Sequence, residues 1–168
     1  EERRVHQSTR LHHPIILFTY QPMSIKPTYI LLLSLTVALS SCSITARVKR
    51  ADKRYTIGEY YAAHEMYRQI YRQINSKDKK LRAYVMFKQG ECYRILNNNR
   101  AISAYKTAIR NQYSDSIVYL HYAQVLQYQG KYKDAIKQYE IYLKYDSTSY
   151  VAQAGLFSCQ KAEEWKKL

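Results

Sequence analysis

Gly130-Lys131-Tyr132-Lys133-Asp134-Ala135-Ile136-Lys137-Gln138-Tyr139 reads G-x-Y-x-x-A-x-x-x-Y, and so does Gly58-Glu59-Tyr60-Tyr61-Ala62-Ala63-His64-Glu65-Met66-Tyr67. A third copy, Arg100-Ala101-Ile102-Ser103-Ala104-Tyr105, keeps the A-x-x-x-Y part. Asn97-Asn98-Asn99 stands in its turn, which is one residue shorter. Internal similarity recurring every few tens of residues marks a stack of small units that cannot bury their apolar faces alone. Each residue type has a reason to be there. Gly or Asn lets the chain reverse sharply between two helices, and Tyr132 covers that turn. A small Ala135 lets the two helices of a hairpin cross closely. Tyr139, four residues on, shares its face, and the apolar positions continue at helical steps through Ala135, Ile136, Tyr139 and Leu143.

The pattern resembles the tetratricopeptide repeat (TPR), a helix–turn–helix unit of about 34 residues. Ser116 to Ser149 matches it most fully. Tyr119, Tyr122, Ala123 and Leu126 fall on the first-helix signature, with Gly130, Tyr132, Ala135 and Tyr139 after them. Tyr142 stands where the family usually has Ala, and Ser147 where it has Pro. A second repeat spans residues 83–115, with Gly90, Tyr93, Ala101, Tyr105 and Ala108 in place. A first spans about 44–77, with Ala51, Gly58, Tyr60, Ala63 and Tyr67, although Arg54 replaces an aromatic. Residues 150–166 fit a capping helix, with Ala152, Leu156, Cys159 and Ala162 toward repeat three. Lys161, Glu163, Glu164, Lys166 and Lys167 would supply the polar outer face a terminal unit needs. The expected fold is therefore all-α: a TPR-type helix–turn–helix solenoid of about three repeats plus a C-terminal capping helix.

A chain of 168 residues with 46% apolar residues suffices for one ordinary domain. Tyr is the outlier, at 19 against Phe 3 and Trp 1. Its apolar ring and polar tip suit half-buried positions. The net charge of +14 admits nucleic acid, anionic lipid or an acidic partner, or simply a solvated basic surface. The cations are spread along the chain, and Lys77, Lys79, Lys80 and Arg82 come closest to a cluster, in what reads as a loop entering a helix. Cys42, Cys92 and Cys159 form no C-x-x-C pair. Cys92 and Cys159 fall on helices too far apart in a stack to bridge, which leaves them as small buried hydrophobes. The five His show no metal-ligand spacing, and His64 and His121 read as helix-surface residues. No catalytic triad, carboxylate pair or phosphate loop is visible, so neither an enzyme, a cofactor nor a small-molecule substrate is expected.

Residues 1–22 have no clear period and read as an extension upstream of the natural start. Met23 opens a secretory signal (23–41): Lys26, an apolar run from Ile30 to Leu39, then Ser40-Ser41-Cys42. The run is too short to span a bilayer, which takes about 20 residues. Leu39-Ser40-Ser41-Cys42 resembles a bacterial lipobox. That resemblance implies cleavage before Cys42 and a diacylglycerol on its thiol, and Ser43 in place of Asp favours the outer membrane. The mature chain (42–168) would hold 23 Lys+Arg and 11 Asp+Glu, a net +12, and 17 Tyr. A narrower resemblance joins this start to the repeats. Ala51-Asp52-Lys53-Arg54-Tyr55, Gly90-Glu91-Cys92-Tyr93-Arg94 and Ser158-Cys159-Gln160-Lys161-Ala162-Glu163-Glu164-Trp165 look like the TPR region of OmpA-family lipoproteins of the type IX secretion system. Those proteins carry further domains after the repeats; none of their activities is carried over to residues ending at Leu168.

In TPRs the first helix of each repeat lines a concave face. The resemblance places Tyr55, Tyr84, Phe87, Glu91, Arg94, Leu120, Gln124, Gln127 and Tyr128 there. Aromatics and Arg are the residue types that dominate interface energies. Asp52, Glu91 and Gln124 occupy the positions at which chaperone-tail clamps need Asn, so that activity is not implied. The reading is a protein-binding scaffold or adaptor lipoprotein, lipid-anchored on the bacterial outer membrane and facing the periplasm, whose partners are other envelope proteins in secretion or outer-membrane assembly. The alternative is a helical-repeat nucleic-acid binder using its basic, Tyr-rich surface. An exported chain meets no cellular RNA, so nucleic acid is not the expected partner.

Overall fold

The computed structural model describes residues 44–166; the upstream extension, the signal segment and Cys42 lie outside the described residues, as does Lys167. Among the described residues there are seven helices and no strand. They are α1 (44–56), α2 (Tyr60–Gln73), α3 (Lys79–Ile95), α4 (Ala101–Arg110), α5 (Ile117–Tyr128), α6 (Tyr132–Leu143) and α7 (Tyr150–Trp165). Each helix from α2 on packs against the next. α3 also meets α5, and α5 meets α7, so these odd-numbered helices form one layer.

The repeated A-x-x-x-Y accounts for the core. Ala63, Ala101 and Ala135 are fully buried, and so are Tyr67, Tyr105 and Tyr139 four residues on. Around the first pair, Val48, Ala51, Ile70, Ile74, Val85 and Cys92 close one cluster. Around the other two, residues of α3 to α7 from Phe87 to Cys159 close a second. At about 25 cal/mol per Å² of apolar area, burying a ring of this size contributes a few kcal/mol, provided its hydroxyl is paired.

The turns follow from backbone sterics. Gly58 and Gly130 have φ of 83° and 69°, the left-handed region that costs glycine nothing, and in the shortened turn of repeat two Asn97 takes φ 52°. In each case the next residue closes a Schellman-type cap. Lys131 N donates to Leu126 O over 2.9 Å, Asn98 N to Tyr93 O over 2.8 Å, and Glu59 N to Arg54 O over 2.9 Å. Gln112, with φ 63°, ends α4 in the same way, Tyr113 N donating to Ala108 O over 3.1 Å.

The basic stretch read as a loop entering a helix divides in that way: Lys77 lies in the turn, and Lys79, Lys80 and Arg82 lie in the first turn of α3. Asp78 caps that helix, its side chain accepting from Leu81 N over 3.0 Å, so α3 begins at Lys79, ahead of the repeat start read at Ala83. Of the residues expected to form the polar outer face of the capping helix, Lys161, Glu164 and Lys166 are exposed and Glu163 is half-buried, but Tyr150, Val151, Phe157 and Trp165 are exposed as well. Ala152 and Cys159 do face inward, fully buried.

Candidate functional site

The layer of odd-numbered helices carries three linked groups of side chains. At the first, Lys88 of α3 reaches across to α1. Its Nζ lies 4.7 Å from the ring centre of Tyr55 and 5.9 Å from that of Tyr84, a cation–π arrangement. Tyr55 also meets Tyr60 edge-on, ring centres 5.4 Å apart. Asp52 of α1 accepts the Tyr67 hydroxyl over 2.5 Å.

The second group is centred on Glu91, buried in α3. Its Oε1 accepts the Tyr105 hydroxyl over 2.6 Å, and His121 Nδ1 of α5 lies 2.6 Å from the same oxygen. A carboxylate can only accept, so that Nδ1 carries the hydrogen. Oε2 accepts from an Arg94 guanidinium nitrogen over 2.8 Å. Burial on its own would raise the Glu91 pKa. The hydrogen bonds from His121, Arg94 and Tyr105, and the charge of His121, overcome it and hold the carboxyl at about 2. Burial and the facing Glu91 push the Tyr105 phenol well above its ordinary range, so it stays a donor. Gly90 makes the approach of Tyr105 feasible. A Cβ there would lie 2.8 Å from Tyr105 Cε1.

The third group is an open cleft of ≈ 240 Å³ between the end of α3 and the end of α5. Tyr93, Arg94 and Asn97 to Asn99 line one side, and Gln124, Val125, Tyr128 and Gln129 the other. Gln129 Nε2 donates to Asn99 Oδ1 over 3.1 Å across one edge. Glu91 fixes the guanidinium of Arg94, whose Nε has no hydrogen-bond partner. Tyr128 stands at the cleft 78% exposed. The lining thus offers a cation, many amide donors and acceptors, and a bare ring.

The structure sorts the nine residues expected to line a groove. Arg94, Gln124 and Tyr128 come together in the cleft, and Tyr55 and Tyr84 flank Lys88. Phe87 and Leu120 belong to the core instead. Phe87 stacks on Tyr113 with ring centres 4.3 Å apart and lies 6.3 Å from the His121 ring. Glu91 is buried and fully engaged. Gln127 turns toward α6, where its Oε1 accepts the Tyr139 hydroxyl over 2.6 Å. Its side chain serves the repeat's interior because repeat three draws its acceptor from one turn later than repeats one and two. The two histidines read as surface residues are not. His121 is half-buried on Glu91. His64 is buried between Tyr61 and Tyr93, ring centres at 5.3 and 4.9 Å, with Nδ1 unpartnered, and burial lowers its pKa.

Lys88, His121 and the Asn97–Asn99 turn are site residues that the sequence reading passed over. The turn was legible as a turn, and its place beside α5 was not. Cys92 and Cys159 are both buried and unbridged, and burial pushes the Cys92 thiol up to about 12. Among the described residues, no three His, Cys, Asp or Glu side chains converge as a metal site.

No family model and no curated protein matches this chain. Solved structures do. The first TPR of Spaghetti (RPAP3), bound to an HSP90 peptide, is 17% identical with a TM-score of 0.62, over 72% of this chain and 93% of that one. MamA protein is 16% identical with a TM-score of 0.65, over 76% of this chain and 68% of that one. The Yersinia enterocolitica type III secretion chaperone SycD, in complex with a peptide of the translocator YopD, is 15% identical with a TM-score of 0.63, over 74% of this chain and 98% of that one. At such identities the likeness speaks for the fold, and the fold is a TPR-type helical solenoid.

Proposed function

We propose that this protein is a non-enzymatic scaffold that holds an extended polypeptide segment of a partner in the cleft between α3 and α5. The observation that carries the reading is Arg94. Glu91 pins its guanidinium, the Arg94 side chain stays 31% exposed, and the exposed Tyr128 lines the same cleft among side-chain amides. An extended backbone needs donors and acceptors along its length, and Asn97 to Asn99, Gln124 and Gln129 offer both. Arg94 suits a carboxylate and Tyr128 an apolar side chain, a pairing of the residue types that dominate interface energies. Two proteins of like fold are described as bound to peptides, one of HSP90 and one of a translocator. The address read before residue 44 supplies the setting: a chain lipid-anchored at Cys42 on the bacterial outer membrane, with envelope proteins as partners in secretion or assembly.

The test is capture from envelope extracts with the intact chain. Gln124→Ala with Tyr128→Ala should weaken capture by more than about 2 kcal/mol, roughly 30-fold, if these side chains are hot spots. Lys106→Ala with Lys137→Ala, on exposed positions of α4 and α6, should leave it intact. Equal behaviour of the two double variants would sink the cleft as the binding site.

A further inference from the structure

The outward face of α1 is basic. Its inward stripe is Ile44, Val48, Ala51 and Tyr55, which belongs to the first core cluster. The opposite side, taken in steps of three and four, runs Ala46, Lys49, Arg50, Lys53 and then Ile57 just past the helix end. Lys49, Arg50 and Lys53 are exposed, and no hydrogen bond or ion pair among the described residues holds any of them. Their neighbours Arg47 and Arg54 are bound by Gln73 and Glu59. Asp52, the one acid of this helix, is occupied by the Tyr67 hydroxyl. Three cations therefore stand together with no anion set against them. At the end of the stripe Ile57 is 58% exposed, and Tyr61, in the first turn of α2, is 70% exposed. An unpaired basic stripe close to a membrane is the composition that an anionic headgroup layer attracts.

The chain outside the described residues says what that layer is. Cys42 lies two residues before α1, and an apolar run precedes it. α1 is the first described helix after that Cys. We propose that α1 lies on anionic phospholipid, with Lys49, Arg50 and Lys53 against the phosphates and Ile57 at the headgroup boundary. The contact sets the first repeat against the membrane. The inference rests on the membrane address and not on the cleft. An acidic polypeptide is the competing occupant. The α1 face offers it charge but no amide or carbonyl for its backbone, which favours lipid.

The full chain with Cys42→Ala, mixed with vesicles, tests this without the acyl chain. Vesicles of phosphatidylcholine alone measure the contribution of the apolar run, and vesicles with about one-third phosphatidylglycerol add the charge. Partition onto the anionic vesicles should exceed the neutral value by about tenfold or more at low salt and fall as salt screens it. Lys49→Gln, Arg50→Gln and Lys53→Gln together should abolish the preference. Lys106→Gln, Lys133→Gln and Lys137→Gln, an equal loss of charge, should keep most of it. The proposal is overturned if the two vesicle types bind alike, or if both triple variants lose the preference equally. Polyglutamate serves as the acidic polypeptide in a parallel binding assay, and the proposal is also overturned if the α1 triple loses polyglutamate binding while keeping the vesicle preference. Because Cys42→Ala is the reference throughout, none of these results bears on acylation itself.

Discussion

Tyr105 donates its hydroxyl hydrogen to Glu91 Oε1 across 2.6 Å, and both side chains are buried. The bond ties the two helices of the second repeat. Its counterparts are Tyr67 on Asp52 at 2.5 Å in the first repeat and Tyr139 on Gln127 at 2.6 Å in the third. A buried hydroxyl left unpaired costs about 1–3 kcal/mol, so each repeat carries an acceptor on its first helix. Repeat two alone adds His121 and Arg94 to that acceptor, which makes it the electrostatic joint between repeats two and three.

Glu91→Gln tests that joint. The folded carboxyl sits at about 2 against an ordinary 4.5. A depressed carboxyl stabilises the fold when ionised, so its contribution is present above about pH 4.5 and is lost as pH falls toward 2. The Gln variant keeps an acceptor for Tyr105 but not the charge. Wild type should be more stable than the variant by on the order of 2 kcal/mol at pH 6. Denaturant melts at pH 6, 4 and 2.5 should show that gap closing, and a constant gap would refute the assignment.

Phe87 and Tyr128 should separate stability from recognition. Phe87 is packed against Tyr113 and Tyr105 in the core, so Phe87→Ala should cost about 3–5 kcal/mol. Tyr128 is exposed, and Tyr128→Ala should change stability by no more than about 0.5 kcal/mol. Urea melts of the two variants decide this. A Phe87→Ala protein as stable as wild type would mean that the ring is free for a partner after all.

Ala135 is fully buried at the crossing of α5 and α6. Ala135→Leu adds three carbons where no space is left and should destabilise by about 1–3 kcal/mol. Ala152→Leu, on the terminal helix with one side uncovered, should cost less, since α7 can shift outward. Thermal melts in which Ala152→Leu proves the more damaging would reverse the packing described for the last repeat.

Cys42 is expected to be acylated and the mature chain to sediment with membranes. Metabolic labelling with a fatty-acid analogue should mark the wild type and not Cys42→Ala. Equal labelling and equal fractionation would remove the lipobox reading.

Local chemistry was legible in the residues themselves. The alternation of Ala and Tyr four apart marks a helix face, and the fully buried Ala63, Ala101 and Ala135 with Tyr67, Tyr105 and Tyr139 are that face. Gly58, Gly130 and Asn97 announce sharp turns because few residues accept a positive φ. The all-α solenoid arises from such local signals repeated, since each unit packs mainly on its neighbour. What no helical period contains is the identity of the neighbour across the gap. Gln124 and Gln127 lie one turn apart on α5, and only the place of Tyr139 decides that Gln127 turns inward while Gln124 lines the cleft. Phe87 and Leu120 looked like binding residues until Tyr113 and the core closed over them. His64 and His121 looked like surface residues until Tyr93 and Glu91 met them from other helices. On α7 the reverse holds. Phe157 and Trp165 are apolar by sequence, yet no other described element covers them. Side-chain type and spacing determine which faces must be buried or turned; packing between helices distant in sequence determines which polar group meets which, and therefore where a cleft is left open.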